Sequence, residues 1–322
     1  MITALLAGLL SVAGSNIVLD DVYYGVGPAA SDPLHDEHVL DVIFPAGTGP
    51  VSQGFAPDPR PVLVYLRGSD FNKPLSAPAS LDEDLTQSAL KAGFVYVEPN
   101  YAEIDTAAQE PHINATIDIA RAMQYVRARH ADWNIDPRKV IVWGHSGGAL
   151  LAYDIGLRWD YQNLASPDFV ERHSSRPNVI VAWGGTTDFQ CFFKKAPALT
   201  WYFEVDDWTV ITEEQKIDAS PTHWLADPAS YGRTSTPLIA LLYNLDYQFP
   251  CGAIMNPHDG QFGLEMLDEI QQFDATQGPD CKLAEELMLL NIGPISDAES
   301  SEQGVAWAKK LFPGASVIVQ HR

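Results

Sequence analysis

Hydrophobic positions fall into two regimes along the chain. In the first, Ile17 to Tyr24 is strand-like. It is followed by Val39 to Phe44, where Leu40, Val42 and Phe44 alternate with Asp41 and Ile43 at the two-residue period of a strand. This predicts an antiparallel start. Pro45 to Arg60 is rich in Gly and Pro without periodicity, the mark of an exposed loop rather than a domain linker. Beyond it the second regime begins, with continuous apolar runs at Pro61–Leu66, Phe94–Val97, Val140–Trp143, Val179–Trp183, Leu238–Tyr243 and Leu287–Ile292. Such runs are what strands buried on both faces require. Helical segments lie between several of them. The clearest is Ile113 to His130, where Ile113, Ile117, Ala120, Met123 and Val126 recur every three or four residues. Strand alternating with helix predicts an α/β architecture: a mainly parallel sheet with helices on both faces. Residues 188–225 are aromatic-rich and irregular, as an insertion over a site would be, and form the candidate cap. The chain carries no internal repeat or coiled-coil heptad.

Composition adds limits. The chain has 322 residues, 46% hydrophobic and 19% charged, which suits one large core and a single domain over 16–322. With 42 acidic against 20 basic residues the formal charge is −22, which opposes nucleic acid as a partner and anionic membrane surfaces alike. Met1 to Ser15 (MITALLAGLLSVAGS) has signal-peptide length and ends in small residues, but no Lys or Arg precedes its apolar run. Two readings stand: a signal peptide, which makes the protein secreted or periplasmic, or a buried N-terminal element of a cytoplasmic one. The run is too short to span a bilayer as a helix, and no later segment reaches that length. Cys191, Cys251 and Cys281 are too few for a disulfide framework or a four-thiolate metal site. They allow one bridge, for which Cys251 to Cys281 is the candidate. No pair of histidines has metal-ligand spacing, so neither a metal nor a cofactor is expected.

Candidate chemistry centres on one turn. The strand ending at Trp143 runs straight into Gly144-His145-Ser146-Gly147-Gly148, followed by the helix-compatible Ala149-Leu150-Leu151-Ala152-Tyr153. This is G-x-S-x-G in the context of strand, sharp turn and helix that displays a nucleophilic serine. Glycines are needed because strand and helix must approach closely around a strained residue. The helix N-terminus also favours developing negative charge.

Around this turn the sequence resembles carboxylesterases and feruloyl-esterase-like members of the α/β-hydrolase superfamily. Ile135-Asp136-Pro137-Arg138-Lys139-Val140 is similar to the family's approach to the elbow. Val62-Leu63-Val64-Tyr65-Leu66-Arg67-Gly68-Ser69-Asp70-Phe71 resembles its strand ending in a His-Gly-Gly oxyanion loop, and Gly93 to Tyr101 its next strand with an Asn-Tyr ending. The resemblance implies an α/β-hydrolase fold and a serine hydrolase of small-molecule carboxylic esters. Ser146 would be the nucleophile, and the backbone N–H groups of Gly147 and of Gly68 or Ser69 would face the oxyanion. Arg67 stands where the family has His, and Asp70 where it has Gly. Either the oxyanion loop is weakened by the carboxylate, or Arg67 and Asp70 pair with each other or with solvent.

The family's strand leading to its triad carboxylate is matched by Pro237-Leu238-Ile239-Ala240-Leu241-Leu242-Tyr243-Asn244-Leu245-Asp246, which makes Asp246 the candidate orienting acid and Asp259 its competitor. The family takes its general base from the loop after the last strand. Here that loop reads Leu290-Asn291-Ile292-Gly293-Pro294-Ile295-Ser296-Asp297 and holds no histidine. Only His258 and the penultimate His321 follow Asp246, so His258 is the one substitute base. His145 is expected to be a packed residue whose ring points away. Two function classes follow: an esterase whose base has moved to His258, or a catalytically impaired hydrolase fold that binds a small ligand or protein partner through the same pocket. Phe189, Phe192, Phe193, Trp201, Tyr202 and Trp224 would line or cover that pocket if 188–225 is a cap, and are core residues otherwise.

Overall fold

The apolar runs become strands because each contributes side chains to both faces of one sheet. In β5 (Ile135–His145), Val140 and Val142 face one way and Ile141 and Trp143 the other, and all four are fully buried. At about 1.5–3 kcal/mol per buried side chain, a polar residue at any of them would be costly. The computed structural model describes residues 16–25, 38–68, 83–101, 113–196, 199, 207–231, 237–243, 248–254, 256, 258–277, 288–291 and 297–310. Besides β5, the sheet holds β1 (Ile17–Tyr23), β2 (Val39–Phe44), β3 (Arg60–Leu66), β4 (Val95–Pro99), β6 (Val179–Trp183), β7 (Leu238–Tyr243) and β8 (Met288–Asn291). These form one 8-stranded sheet in the order β1-β2-β4-β3-β5-β6-β7-β8. β1 with β2 and β2 with β4 are antiparallel; every later pair is parallel.

Helices cover both faces, as the pattern predicts. On one side lie α2 (Ile113–Ala128), α3 (Gly147–Leu157) and α6 (Gly260–Gln277), packed through Ile119, Met123, Leu151 and Phe262 against Val62, Val142 and Ile180. On the other lie α1 (Glu83–Ala92) and α7 (Asp297–Lys310), whose Leu85, Ala89, Val305 and Ala308 meet Leu63, Tyr65, Trp143 and Leu242. Two short helices, α4 (Glu213–Asp218) and α5 (Pro221–Ala226), lie in the connection between β6 and β7. No helix among the described residues is long and apolar enough to cross a membrane.

The excursion from Arg158 to Asn178, between α3 and β6, hangs on two side chains of α2. Arg127 donates from Nε to the Pro137 carbonyl at 3.1 Å, from Nη1 to that of Ser174 at 2.8 Å, and from Nη2 to that of Arg176. Burial lowers its pKa to about 10 without discharging it at neutral pH. One turn earlier, the Gln124 amide nitrogen lies within 3.0–3.3 Å of the carbonyls of Tyr161, Glu171 and His173. Arg127→Met would leave three half-buried acceptors without their donor. The expected loss is about 3 kcal/mol in a denaturant titration.

Candidate active site

In a parallel sheet, reactive groups gather outside the carboxyl ends of the strands where the strand order reverses. Here β4 lies on one side of β3 and β5 on the other, and the ends of β3, β5 and β6 converge on Ser146. Ser146 has φ 54° and ψ −119°, a strained conformation, and its N–H donates to the Trp183 carbonyl of β6 at 2.8 Å. The strain is forced by how closely α3 crosses β3: a Cβ on Gly148 would lie 2.1 Å from the Leu66 carbonyl oxygen. Gly68, two residues beyond β3, is pressed on the same turn, since a Cβ there would sit 2.9 Å from the Ser146 Cβ and 2.7 Å from the His145 carbonyl oxygen. Gly147 is the first residue of α3, so its N–H has no acceptor within the helix. Ser69 lies outside the described residues.

Ser146 Oγ and His258 Nε2 are 2.7 Å apart. His258 sits just ahead of α6, and its N–H donates to Asn256 Oδ1 at 2.9 Å. The ring packs on Gly184 at the end of β6, where an added Cβ would lie 3.6 Å from Nδ1. Desolvation by the surrounding protein, and then the neighbouring His145, lower the pKa of His258 below the ordinary histidine value. His258 is an exposed residue, so the desolvation is partial. The ring of His145 does not turn away as expected: its centroid lies 4.7 Å from that of Trp183 and 5.7 Å, edge-on, from that of His258.

Of the two candidate carboxylates, one lies among the described residues. Asp246, three residues past β7, lies outside the described residues. Asp259 is buried and Oδ1 accepts the N–H of Gln261 at 2.9 Å and of Phe249 at 3.2 Å, which makes it the cap of α6 and a tie to the preceding loop.

Asp70 lies outside the described residues, and Arg67 pairs with a carboxylate of β4. Its Nε is 2.8 Å from Oε1 of Glu98, whose side chain is wholly buried, and its Nη2 donates to Asn100 Oδ1 at 2.8 Å. The Tyr101 hydroxyl donates to the Arg67 carbonyl at 3.0 Å. The reason is the pairing of β3 with β4, which brings the ends of the two strands side by side. Glu98, Asn100 and Tyr101 were passed over as site residues, although the Asn-Tyr ending was visible in the sequence. They fix the strand end that presents Gly68.

The disulfide also differs from expectation. Cys251 pairs with Cys191, with Cα atoms 4.2 Å apart, while Cys281 lies outside the described residues. The chain leaving β6 and the chain leaving β7 run alongside each other here. Phe192 and Ile254 form a parallel bridge, the Phe193 N–H donates to the Ile254 carbonyl at 2.6 Å, and the Gly252 N–H to that of Cys191 at 2.7 Å. A bridge across a separation of 60 residues removes denatured-chain entropy equivalent to about 4 kcal/mol. Of the aromatic residues in this region, Phe189, Phe192 and Trp224 are buried and Phe193 is 42% exposed; Trp201 and Tyr202 lie outside the described residues.

For a metal, the described residues bring together Asp20, Asp21 and Asp41 on the β1–β2 hairpin. Burial and the adjacent carboxylates raise the pKa of Asp41, and nothing further marks this acidic group as an ion site.

Removing Arg67 takes an ion-pair partner from a buried carboxylate. Arg67→Met is expected to cost about 3–5 kcal/mol in chemical denaturation, and Arg67→Met with Glu98→Leu to recover most of it.

The whole architecture recurs in solved structures. A truncated carbohydrate esterase from gut microbiota superposes with a TM-score of 0.63 at 17% identity, covering 92% of this chain and 96% of that one. An acetyl ester-xyloside bifunctional hydrolase from Caldicellulosiruptor lactoaceticus gives 0.61 at 16% identity, covering 91% and 96%. An esterase from the planctomycete Thermogutta terrifontis gives 0.54 at 16% identity, covering 93% and 91%. At such identities the likeness establishes the fold alone, which is that of the α/β-hydrolases. No curated protein matches the chain in sequence. The BD-FAE family model matches residues 53–242, more than half the chain, spanning β3, the elbow and β7 up to its penultimate residue. The protein therefore belongs to the BD-FAE family of the α/β-hydrolase superfamily.

Proposed function

We propose that this protein hydrolyses carboxylic esters through an acyl-enzyme on Ser146, with His258 as general base. The observation that carries the reading is the 2.7 Å approach of His258 Nε2 to Ser146 Oγ, from a loop other than the one the family ordinarily uses. As Oγ attacks the ester carbonyl carbon, its proton passes to Nε2. The carbonyl oxygen takes up the negative charge and accepts the N–H groups of Gly147 and of the Gly68-Ser69 loop. Collapse expels the alcohol, which takes the proton back from His258. Water, deprotonated by the same nitrogen, then attacks the acyl group and frees Ser146. Asp246 is the acid we assign to His258 Nδ1, on the strength of its place just beyond β7. Asp259 Oδ1 caps α6, which favours Asp246 for that role.

This arrangement argues against the reading of an impaired fold that only binds, which rested on the missing histidine after β8. In this scheme 16–322 is a single catalytic domain, and Phe189, Phe192 and Trp224 of 188–225 pack in its core rather than over the site. The solved structures that share the fold include a carbohydrate esterase and an acetyl ester-xyloside hydrolase, which makes acetylated sugars the first natural substrates to test.

The test is release of p-nitrophenol from its acetate and butyrate esters, with fluorophosphonate labelling of the serine alongside. Ser146→Ala is expected to abolish both, and His258→Ala to reduce kcat by about 10²–10⁴-fold. A wild type as inert as Ser146→Ala would remove the proposal. The pH profile gives a second check. His258 must be neutral to accept a proton, and a lowered pKa keeps it neutral to lower pH. The acid limb of kcat/KM is therefore expected below about pH 6.5, the ordinary histidine value, and to move upward when the neighbouring charge is removed in His145→Gln.

A further inference from the structure

We propose that the Cys191–Cys251 disulfide is a positioning element for His258, holding the loop that carries the base in register with Ser146. The inference rests on the proposed role of His258 and deepens it. Usually a catalytic base emerges from the end of a strand, whose ladder fixes where it starts. His258 has no such start: it follows β7 by 15 residues, and most of the described residues leading to it are exposed. Of the described residues from Gln248 to His258, only Ile254 is buried. A segment with so little buried area opens readily unless it is tied down.

Besides the Phe249 N–H bonded to Asp259, ties on both sides of His258 lead to one place, the chain just beyond β6. On the upstream side of His258, Cys251 is bonded to Cys191, and Ile254 is bridged to Phe192 and Phe193. On the downstream side, the Thr187 hydroxyl donates to the Phe262 carbonyl at 2.6 Å, and the Phe192 and Phe262 rings lie 5.1 Å apart. Between the two anchors, the His258 ring rests on Gly184. The downstream anchor is buried and apolar, and α6 would hold it without help. The upstream anchor otherwise consists of the buried Ile254 side chain, one parallel bridge and two backbone hydrogen bonds, in a stretch whose other described residues are exposed, and the covalent bridge is what makes it lasting. Since β6 also accepts the Ser146 N–H through Trp183, one short stretch of chain references both the nucleophile and the base.

Cys191 is buried and Cys251 is exposed, so a thiolate can reach the bridge from the Cys251 side. A dithiol reductant supplies two electrons and two protons, yields the Cys191 and Cys251 thiols, and itself closes to a cyclic disulfide. Once the upstream anchor is released, His258 is expected to drift from Ser146 Oγ and to gain solvent. Displacement of about 1 Å is enough to cost on the order of 10²-fold in rate.

The experiment compares oxidised wild type, wild type reduced by dithiothreitol, and Cys191→Ser/Cys251→Ser, all on p-nitrophenyl butyrate and well below their unfolding temperatures. Each is checked by circular dichroism and by fluorophosphonate labelling. The proposal expects kcat to fall on the order of 10²-fold in the reduced protein and in the double variant, with KM little changed and circular dichroism intact. The acid limb of the pH profile should rise toward the ordinary histidine value as the imidazole is resolvated, a change that a merely structural bridge would not produce. The double variant should ignore dithiothreitol. If kcat and the acid limb stay where they are while labelling proceeds, the clamp is overturned and the esterase reading stands. If reduction and substitution both abolish the folded signal, the bridge supports the fold as a whole and the clamp is again overturned. Failure of the oxidised wild type to label or turn over would sink the esterase reading, and the clamp with it.

Discussion

Everything in the site depends on one steric constraint, the closeness of α3 to the end of β3. The backbone around Leu66 and Gly148 leaves no room for a side chain, so the turn between β5 and α3 has to be made within a single residue. Ser146 absorbs that turn with a positive φ and is left projecting. Positions 144, 147 and 148 are glycines, so the closeness is written into the chain. The strain concentrated at Ser146 is stored where the fold around it is most rigid: a parallel sheet with both faces covered by packed apolar side chains. Gly68 extends the same logic to the neighbouring strand, and the buried Arg67–Glu98 pair keeps that strand end from yielding.

Against this rigid half the proposed base stands in contrast. It comes from a surface loop and reaches Ser146 across the end of β6, and its position is assembled from ties of different kinds: a disulfide, a two-residue bridge, the Asp259 cap and the Phe192–Phe262 contact. A half-open imidazole beside a second histidine is held neutral by its surroundings, which suits proton acceptance. The half of the site that must not move is thus built by the sheet, and the half that must be adjusted is built by connections.

Much of the fold was legible because burial on both faces leaves an unmistakable trace: the apolar runs at Pro61–Leu66, Val179–Trp183 and Leu238–Tyr243 became β3, β6 and β7 almost residue for residue. Helices α1, α6 and α7 left a fainter trace, since each shows the sheet only one stripe and the rest of its surface is polar. The strained turn at Ser146 was legible from its glycines, and the histidine that elimination leaves after β7, His258, is the one brought within 2.7 Å of Ser146 Oγ. The pairing of Cys191 with Cys251 was not legible, as it depends on two connections, 60 residues apart, running together in space. Nor was the partner of Arg67, because the nearest carboxylate in sequence is Asp70, whereas the one in contact sits on the adjacent strand. In both cases the deciding distance was set by strand order, which sequence spacing does not encode.

The placement of His258 ahead of α6 changes what the last part of the chain is for. Where the base follows the final strand, that strand is held to its place by chemistry. Here β8 has only four residues, pairs with β7 alone, and carries none of the residues assigned to the reaction. Its service is to cover the hydrogen-bonding groups of β7, which would otherwise form a bare border open to strands of other molecules. Among the described residues, β8 therefore serves the fold by completing the border of β7, and α7 by covering one face of the sheet through Val305 and Ala308.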